Sequence, residues 1–330
     1  MRKRKYLLIM TVAIGFIINA CAFPKFKLFP DATDPLQEFT LQGTERGKVL
    51  VIPVRGIISD WPKWGYFREN PSMVQEIVSQ LRLAEEDEEV KAVLLSINSP
   101  GGTATASDIL YHEILSFKKR TGAKVVVEMM DVATSGGYYV CLPADFIFAH
   151  PTTITGSIGV IFMRPKVTGL MEIIGLDMEV NKSGRNKDIG SPFRETTEEE
   201  QRILQGLTDG LGERFVNLVA KHRELDEKAL ADISTARIYI ADEALGQGLV
   251  DKIGYLSDAL KEAKKLAGLP DDAKIVVYRR VEYPDDNLYN TAITQYGGKG
   301  PSLINLDLPD SMTSLRTGFY YLWLPAEGPY

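Results

Sequence analysis

The sequence predicts an α/β domain built on a mostly parallel sheet flanked by helices. Strand-length apolar runs alternate with amphipathic helical stretches from Lys48 onward, and successive strands are separated by connections long enough to carry a crossover, which favours parallel pairing. The 330 residues are 45% hydrophobic and 25% charged, ordinary values for a chain that buries a sizeable core.

Lys48 to Ile57, KVLVIPVRGI, is the first strand, with Pro53 suggesting an edge or a bend. Asp60 to Arg68 is an aromatic-rich loop suited to core packing. A helix opens at Asn70-Pro71, carries Met73, Ile77, Leu81 and Leu83 at helical spacing, and closes on the acidic run Glu85 to Glu89. Val90 to Ile97 reads as a buried strand, Asn98 to Gly102 as a turn, Ala104 to Lys119 as a helix and Lys124 to Met129 as another buried strand. A turn around Ser135 with a short helix at Tyr138 to Leu142 follows. Then come a strand near Asp145 to Ala149, a turn at Pro151 to Gly156, a strand at Ser157 to Phe162, a helix around Val167 to Ile174 and a strand at Asp177 to Val180. Lys182 to Arg194 is a polar loop. Thr197-Glu198-Glu199-Glu200 is a capping box that starts a helix running to about His222, with an apolar stripe suited to the sheet or a neighbouring subunit. Short helices are expected at Asp242 to Gln247 and Leu256 to Leu266, and a last strand at Ala273 to Arg279. Tyr283 to Tyr330 is expected to be irregular and partly disordered until its apolar segment, Gly318 to Leu324, docks on something.

Composition narrows the function. A net charge of −6 and a pI near 5.3 argue against a nucleic-acid partner. Two cysteines, Cys21 and Cys141, make a disulfide framework or a zinc site improbable. MRKRK at Met1 to Lys5, followed by the apolar run Tyr6 to Phe23, reads as an export signal or a membrane anchor, placing the rest of the chain on the extracytoplasmic side. Ile18-Asn19-Ala20-Cys21 also resembles a lipoprotein processing box, so cleavage with lipid attachment at Cys21 and an uncleaved signal anchor both stand. The division expected is a signal or anchor at 1–23, a linker at 24–46, a catalytic domain at 47–268 and a C-terminal extension at 269–330.

Three turns that follow successive strands carry the chemistry: NSPGG at Asn98 to Gly102, ATSGG at Ala133 to Gly137 and ITGS at Ile154 to Ser157. In a parallel sheet such turns gather along one edge, where α/β folds place ligands. Ser135, at a strand-to-helix turn and followed by two glycines, suits a nucleophile that another backbone must approach. Gly101 or Gly102, together with Gly136, can present backbone N–H groups to an oxyanion. The bland reading of each turn is that it is only a turn. A base is less evident. His112, His150 and His222 have no obvious orienting carboxylate, and the flanks of Ser135 lack the leading glycine of a GxSxG elbow. A lysine serves if burial keeps it neutral, and Lys182 and Lys187 both remain candidates.

From about Lys48 to Leu266 these motifs, together with TSGGYY at Thr134 to Tyr139, ITGSIGV at Ile154 to Val160 and KSGRNKDIGSPFRETTEEE at Lys182 to Glu200, resemble the signal peptide peptidase A family of membrane-associated serine proteases. The resemblance implies a Clp protease/crotonase-like fold, a repeated β-β-α type core. It implies Ser135 as nucleophile, Lys187 as general base and Ser157 as hydrogen-bond partner of that lysine, with no metal or organic cofactor. Substrates would be extended apolar peptides such as released signal peptides. Only one catalytic unit is present, as in short members that complete their sites between protomers, so a homo-oligomer is expected. A crotonase-like acyl-CoA enzyme and a noncatalytic membrane-surface scaffold are the alternatives.

Overall fold

In the computed structural model, residues 34–64, 69–283, 286–290 and 317–326 are described, and every element below lies within Leu36–Tyr330. The chain runs β1 (Gln37–Gln42), β2 (Glu45–Arg55), the small hairpin β3 (Lys63–Trp64) and β4 (Glu69–Asn70), α1 (Met73–Glu86), β5 (Val90–Ser99), β6 (Gly101–Thr103), α2 (Ala104–Thr121), β7 (Lys124–Thr134) and α3 (Gly136–Cys141). It continues with β8 (Phe146–Ala149), β9 (Ile154–Gly156), β10 (Ile161–Met163), α4 (Thr168–Ile174), α5 (Glu198–His222), α6 (Glu227–Ile233), β11 (Ile238–Ile240) and α7 (Ala241–Gly246). Last are β12 (Lys252–Ile253), α8 (Leu256–Leu266), β13 (Ala273–Arg279) and β14 (Gly318–Leu322).

The main sheet has the order β1-β13-β2-β5-β7-β8-β12, with β9 joining β7 and β11 joining β9. All neighbours are parallel except β1 with β13 and β9 with β11. The α/β expectation is therefore met. Alternation sorts the side chains: Leu50, Ile52, Leu95, Val127 and Met129 face the layer that includes Ile77, Leu110, Phe117 and Phe215. Val49, Val51, Leu94 and Val126 face Leu256, Ala259, Leu260 and Ala263 of α8. With both faces covered, the central strands read as unbroken apolar runs.

Local chemistry sets the helix boundaries. Ser72 Oγ accepts from Gln75 N at 3.1 Å while Gln75 Oε1 accepts from Ser72 N at 2.9 Å, closing a capping box at α1. The capping box expected at Thr197 forms likewise, with Glu200 N donating to Thr197 Oγ1 at 3.2 Å. Gly122, at φ 71°, ends α2 in the left-handed conformation glycine tolerates.

Several expectations are corrected. Asp177–Val180 forms no strand; Met178 and Val180 are 45% and 50% exposed, and no strand pairs with this segment among the described residues. The segment Ile154–Gly156, read as a turn, is β9, and the next strand starts only at Ile161. Pro53 does not mark an edge strand, because β2 lies between β13 and β5. However, β13 pairs only as far as Leu50, so β2 has a single neighbour at Pro53. Gln37–Gln42, within the stretch read as a linker, forms β1. The anchor at 1–23, with Cys21, and most of the tail lie outside the described residues. Among the described residues no helix is long and apolar enough to cross a membrane.

Candidate active site

β5, β7 and β9 end side by side, and the turns after them converge. Ser135 closes β7 at φ 53°, ψ −116°, a conformation that costs a residue with a Cβ strain. Its N–H donates to Gly156 O at 2.7 Å and its carbonyl accepts from Tyr139 N at 2.9 Å, so β9 on one side and the first turn of α3 on the other impose the geometry. The residue is 1% exposed, and its Oγ makes no hydrogen bond among the described residues.

The glycines around it are required by close approach. A Cβ on Gly136 would lie 2.4 Å from Ser107 Oγ, and one on Gly102 would lie 1.8 Å from Ile58 O. Gly101, at φ 104°, donates its N–H to Ser99 Oγ at 3.1 Å. Its N–H is thus engaged by Ser99, while Gly102 lies opposite Tyr321 in the β6–β14 ladder. A Cβ on Gly101 would come within 2.7 Å of Gly136 N, which shows how closely the two turns meet.

An extended segment lies over this pair. β14 runs antiparallel between β6 and β10, with Tyr321 opposite Gly102, Leu322 opposite Gly101 and Tyr320 opposite both Thr103 and Ile161. The carbonyl oxygen of Tyr321 is the atom that would meet a Cβ on Gly101, at 2.0 Å, and a Cβ on Gly136, at 3.0 Å. The docking expected for this apolar segment of the tail is met, and its place is the groove above Ser135.

The lysines lie apart. Lys187 is exposed, and its ammonium has no hydrogen-bond or ion-pair partner among the described residues. Lys182 donates to Asp188 Oδ1 at 2.7 Å. Arg194 bridges Asp188 and Glu200, donating to Asp188 Oδ2 at 2.7 Å and Glu200 Oε2 at 2.9 Å. The Arg194 and Lys182 hydrogen bonds hold the Asp188 carboxyl well below the carboxylate range, and Arg194 lowers buried Glu200 to about 2. This network ties the Lys187 loop to the start of α5. Ser157, also at positive φ (52°), donates its N–H to Arg237 O at 2.8 Å, and its side chain does not meet Lys187. No histidine is hydrogen-bonded to Ser135: His112 is near Ser116, His150 pairs with Thr152 and His222 with Tyr111.

Sequence reasoning thus placed Ser135, Gly101, Gly102 and Gly136 in one cluster, and the structure does not join Lys187 to it. It missed an aromatic wall beside the cluster. Tyr139, one turn after Ser135, donates to Asp108 Oδ1 at 2.6 Å, which also accepts from Arg214 at 2.7 Å. Burial works against the Asp108 charge, but these two bonds still hold its pKa down. Phe215 packs on Tyr139 at 4.8 Å. The double tyrosine of SGGYY was the available signal.

The profile of peptidase family S49 matches residues 117–270, and that of Clp protease matches residues 68–147. A protein of Enterococcus faecium provisionally named signal peptide peptidase SppA is 36% identical over 253 residues, 77% of this chain and 73% of the relative. Protease 4 of Haemophilus influenzae is 33% identical over 241 residues, 73% of this chain but 38% of that longer protein. The chloroplastic serine protease SPPA of Arabidopsis thaliana is 30% identical over 71% of this chain and 34% of its own length. Among solved structures, a membrane-bound stomatin-specific protease (1510-N) aligns with TM-score 0.39 and 17% identity over 66% of this chain and 86% of its own.

Proposed function

The chain belongs to peptidase family S49, and from that premise we propose that it is a serine endopeptidase with Ser135 as nucleophile and Lys187 as general base. The observation that carries the reading is the strained turn at Ser135, next to Gly136 where it meets the Gly101-Gly102 turn, under an extended strand whose Tyr321 carbonyl oxygen lies against Gly101 and Gly136. Neutral Lys187 would take the Ser135 proton as Oγ attacks a peptide carbonyl, with the oxyanion held by the N–H groups of Gly102 and Gly136. The lysine would return the proton to the leaving amine, and water would then hydrolyse the acyl-enzyme.

Lys187 does not reach Ser135 within the chain, and we assign the completed pair to neighbouring copies of a homo-oligomer. Exposed apolar side chains support this. Leu170, Ile173, Ile174 and Leu176 of α4 and its exit, with Leu207 of α5, are all at least half exposed. The sequence of residues 1–23 supports export, with the domain working on extended apolar peptides such as released signal peptides at the membrane surface.

The test is a peptide-cleavage assay with Ser135→Ala and Lys187→Ala. Each should lower turnover roughly a thousandfold or more, and Ser135 should be labelled by a serine-directed acylating probe. Turnover that survives Ser135→Ala overturns the nucleophile. Activity lost in Lys182→Ala but kept in Lys187→Ala reassigns the base.

A further inference from the structure

We propose that Ser99 is a positioning residue for the attack: its hydroxyl holds the Gly101-Gly102 turn in the pose from which that turn meets the developing oxyanion. This role rests on the endopeptidase reading and goes past it, to a buried side chain behind the reacting atoms.

Ser99 ends β5 and is fully buried. A hydroxyl has one proton to give and lone pairs to receive with, and the distances assign both. Its Oγ lies 2.7 Å from Gly56 O and 3.5 Å from Gly101 O, so the proton goes to Gly56. A lone pair accepts from Gly101 N at 3.1 Å. The hydroxyl therefore ties the exit of β2 to the first glycine of the turn. The backbone continues the clamp: Gly56 N donates to Asn98 O at 2.9 Å, Ile58 N to Gly101 O at 2.8 Å and Thr103 N to Ile58 O at 3.0 Å.

Gly101 and Gly102 have no side chains to anchor them, and Gly101 holds φ 104°, a conformation that glycine enters and leaves at little cost. Gly101 is held instead by hydrogen bonds at its two ends, its N–H on Ser99 and its carbonyl on Ile58. With the Gly101 N–H turned back to Ser99, Gly102 is the glycine that stands opposite Tyr321, whose carbonyl oxygen lies against Gly101 and Gly136. Ser99 bears on the nucleophile's turn as well. It pairs with Ala133 across β5 and β7, and a Cβ on Gly137 would lie 2.5 Å from Ser99 O. One residue thus spaces the two turns between which a scissile carbonyl must fit. Without the hydroxyl, Gly101 N–H and Gly56 O each lose a partner, and the Gly101 peptide can rotate. A displacement of about 1 Å at such a site costs on the order of a hundredfold in rate.

The test compares two reversible ligands on the full chain, a tripeptide ending in leucinal and the same tripeptide ending in leucinol. Ser135 Oγ bonds to the aldehyde carbon as the C=O π bond opens, and the serine proton ends on the new hemiacetal oxygen, which sits where the oxyanion would. The alcohol enters the same groove and cannot react, and β14 competes with both alike. The native chain should bind the aldehyde at least about a hundredfold more tightly than the alcohol. Ser99→Ala should cut that preference about ten- to a hundredfold, and lower kcat for a cleaved peptide in step while KM stays within about twofold. Ser99→Cys fills the same space with a weak acceptor and should fall between the two. It carries the comparison alone if thermal denaturation shows that Ser99→Ala does not fold. A merely structural role would weaken aldehyde and alcohol together. That outcome, an aldehyde preference unchanged in Ser99→Ala, or one at the native level in Ser99→Cys, overturns the positioning role and leaves the peptidase reading intact. A native chain that neither prefers the aldehyde nor cleaves peptide overturns the peptidase reading and the role of Ser99 with it.

Discussion

Ser135 holds φ 53° and ψ −116° because Gly156 O and Tyr139 N pin its two peptide groups. Glycine adopts that conformation without penalty. Ser135→Gly should therefore raise stability by about 1 kcal/mol, a shift of the melting temperature upward, while abolishing reaction with serine probes. A melting temperature that stays or falls would mean that the turn carries no strain. A second residue stores a penalty of another kind. Glu128 of β7 is fully buried, and neither carboxylate oxygen has a partner among the described residues. Burial, with a smaller contribution from Asp258, pushes it up to about 8. The folded chain thus holds a proton on Glu128 that the unfolded chain releases above about pH 4.5. Stability from this group is intact below the unfolded pKa and is lost as pH rises through the folded pKa. Glu128→Gln should match the native chain near pH 4 and exceed it by a few kcal/mol near pH 9, on the order set by the linkage. Denaturant titrations at both pH values measure this, and a difference independent of pH would refute it.

At the scale of elements, what was legible depended on whether neighbours in sequence decide the outcome. KVLVIPV, VKAVLLSI and KVVVEM are strands whatever surrounds them, because a run buried on both faces announces itself. Thr197-Glu198-Glu199-Glu200 declares the start of α5 through its own side chains. DMEV at Asp177–Val180 has Val180 as its one strong strand former and no strand pairs with it among the described residues, and it stays irregular. β9 is three residues long and exists because β7 and β11 flank it, which no local pattern reports. β14 is the clearest case: its apolar character was visible, but its place between β6 and β10 depends on pairing across more than 150 residues. That pairing buries Tyr320, Tyr321 and Leu322 over the Ser135 cluster. Removing residues 317–330 should uncover the groove and raise the rate of Ser135 labelling at least about tenfold, given the apolar surface that holds the strand down. An unchanged rate would show that β14 does not limit access.

For the whole molecule, the cluster of Ser135, Gly102 and Gly136 was legible because parallel strands bring the turns that follow them to one edge. Lys187 was not, because a lysine becomes a base through what surrounds its ammonium, and sequence spacing says nothing of that. Within one chain its surroundings are solvent. The Arg194 network nevertheless holds its loop rigidly against α5, as a group offered outward would need. The exposed apolar side chains of α4 and α5 border the same region of sequence. If these surfaces join copies, each Ser135 receives its base from another chain, and the two catalytic defects complement one another. Ser135→Ala and Lys187→Ala, each inactive alone, should then recover activity when unfolded together and co-refolded, since mixed assemblies contain interfaces with both groups intact. In a dimer formed at random about half the assemblies would be mixed, each with one intact site, giving roughly a quarter of native activity. Size measured by light scattering should show an oligomer in the native chain. A monomeric, fully active protein, or a co-refolded mixture as inactive as its parts, would place both residues of the pair within one chain and require the Lys187 loop to move.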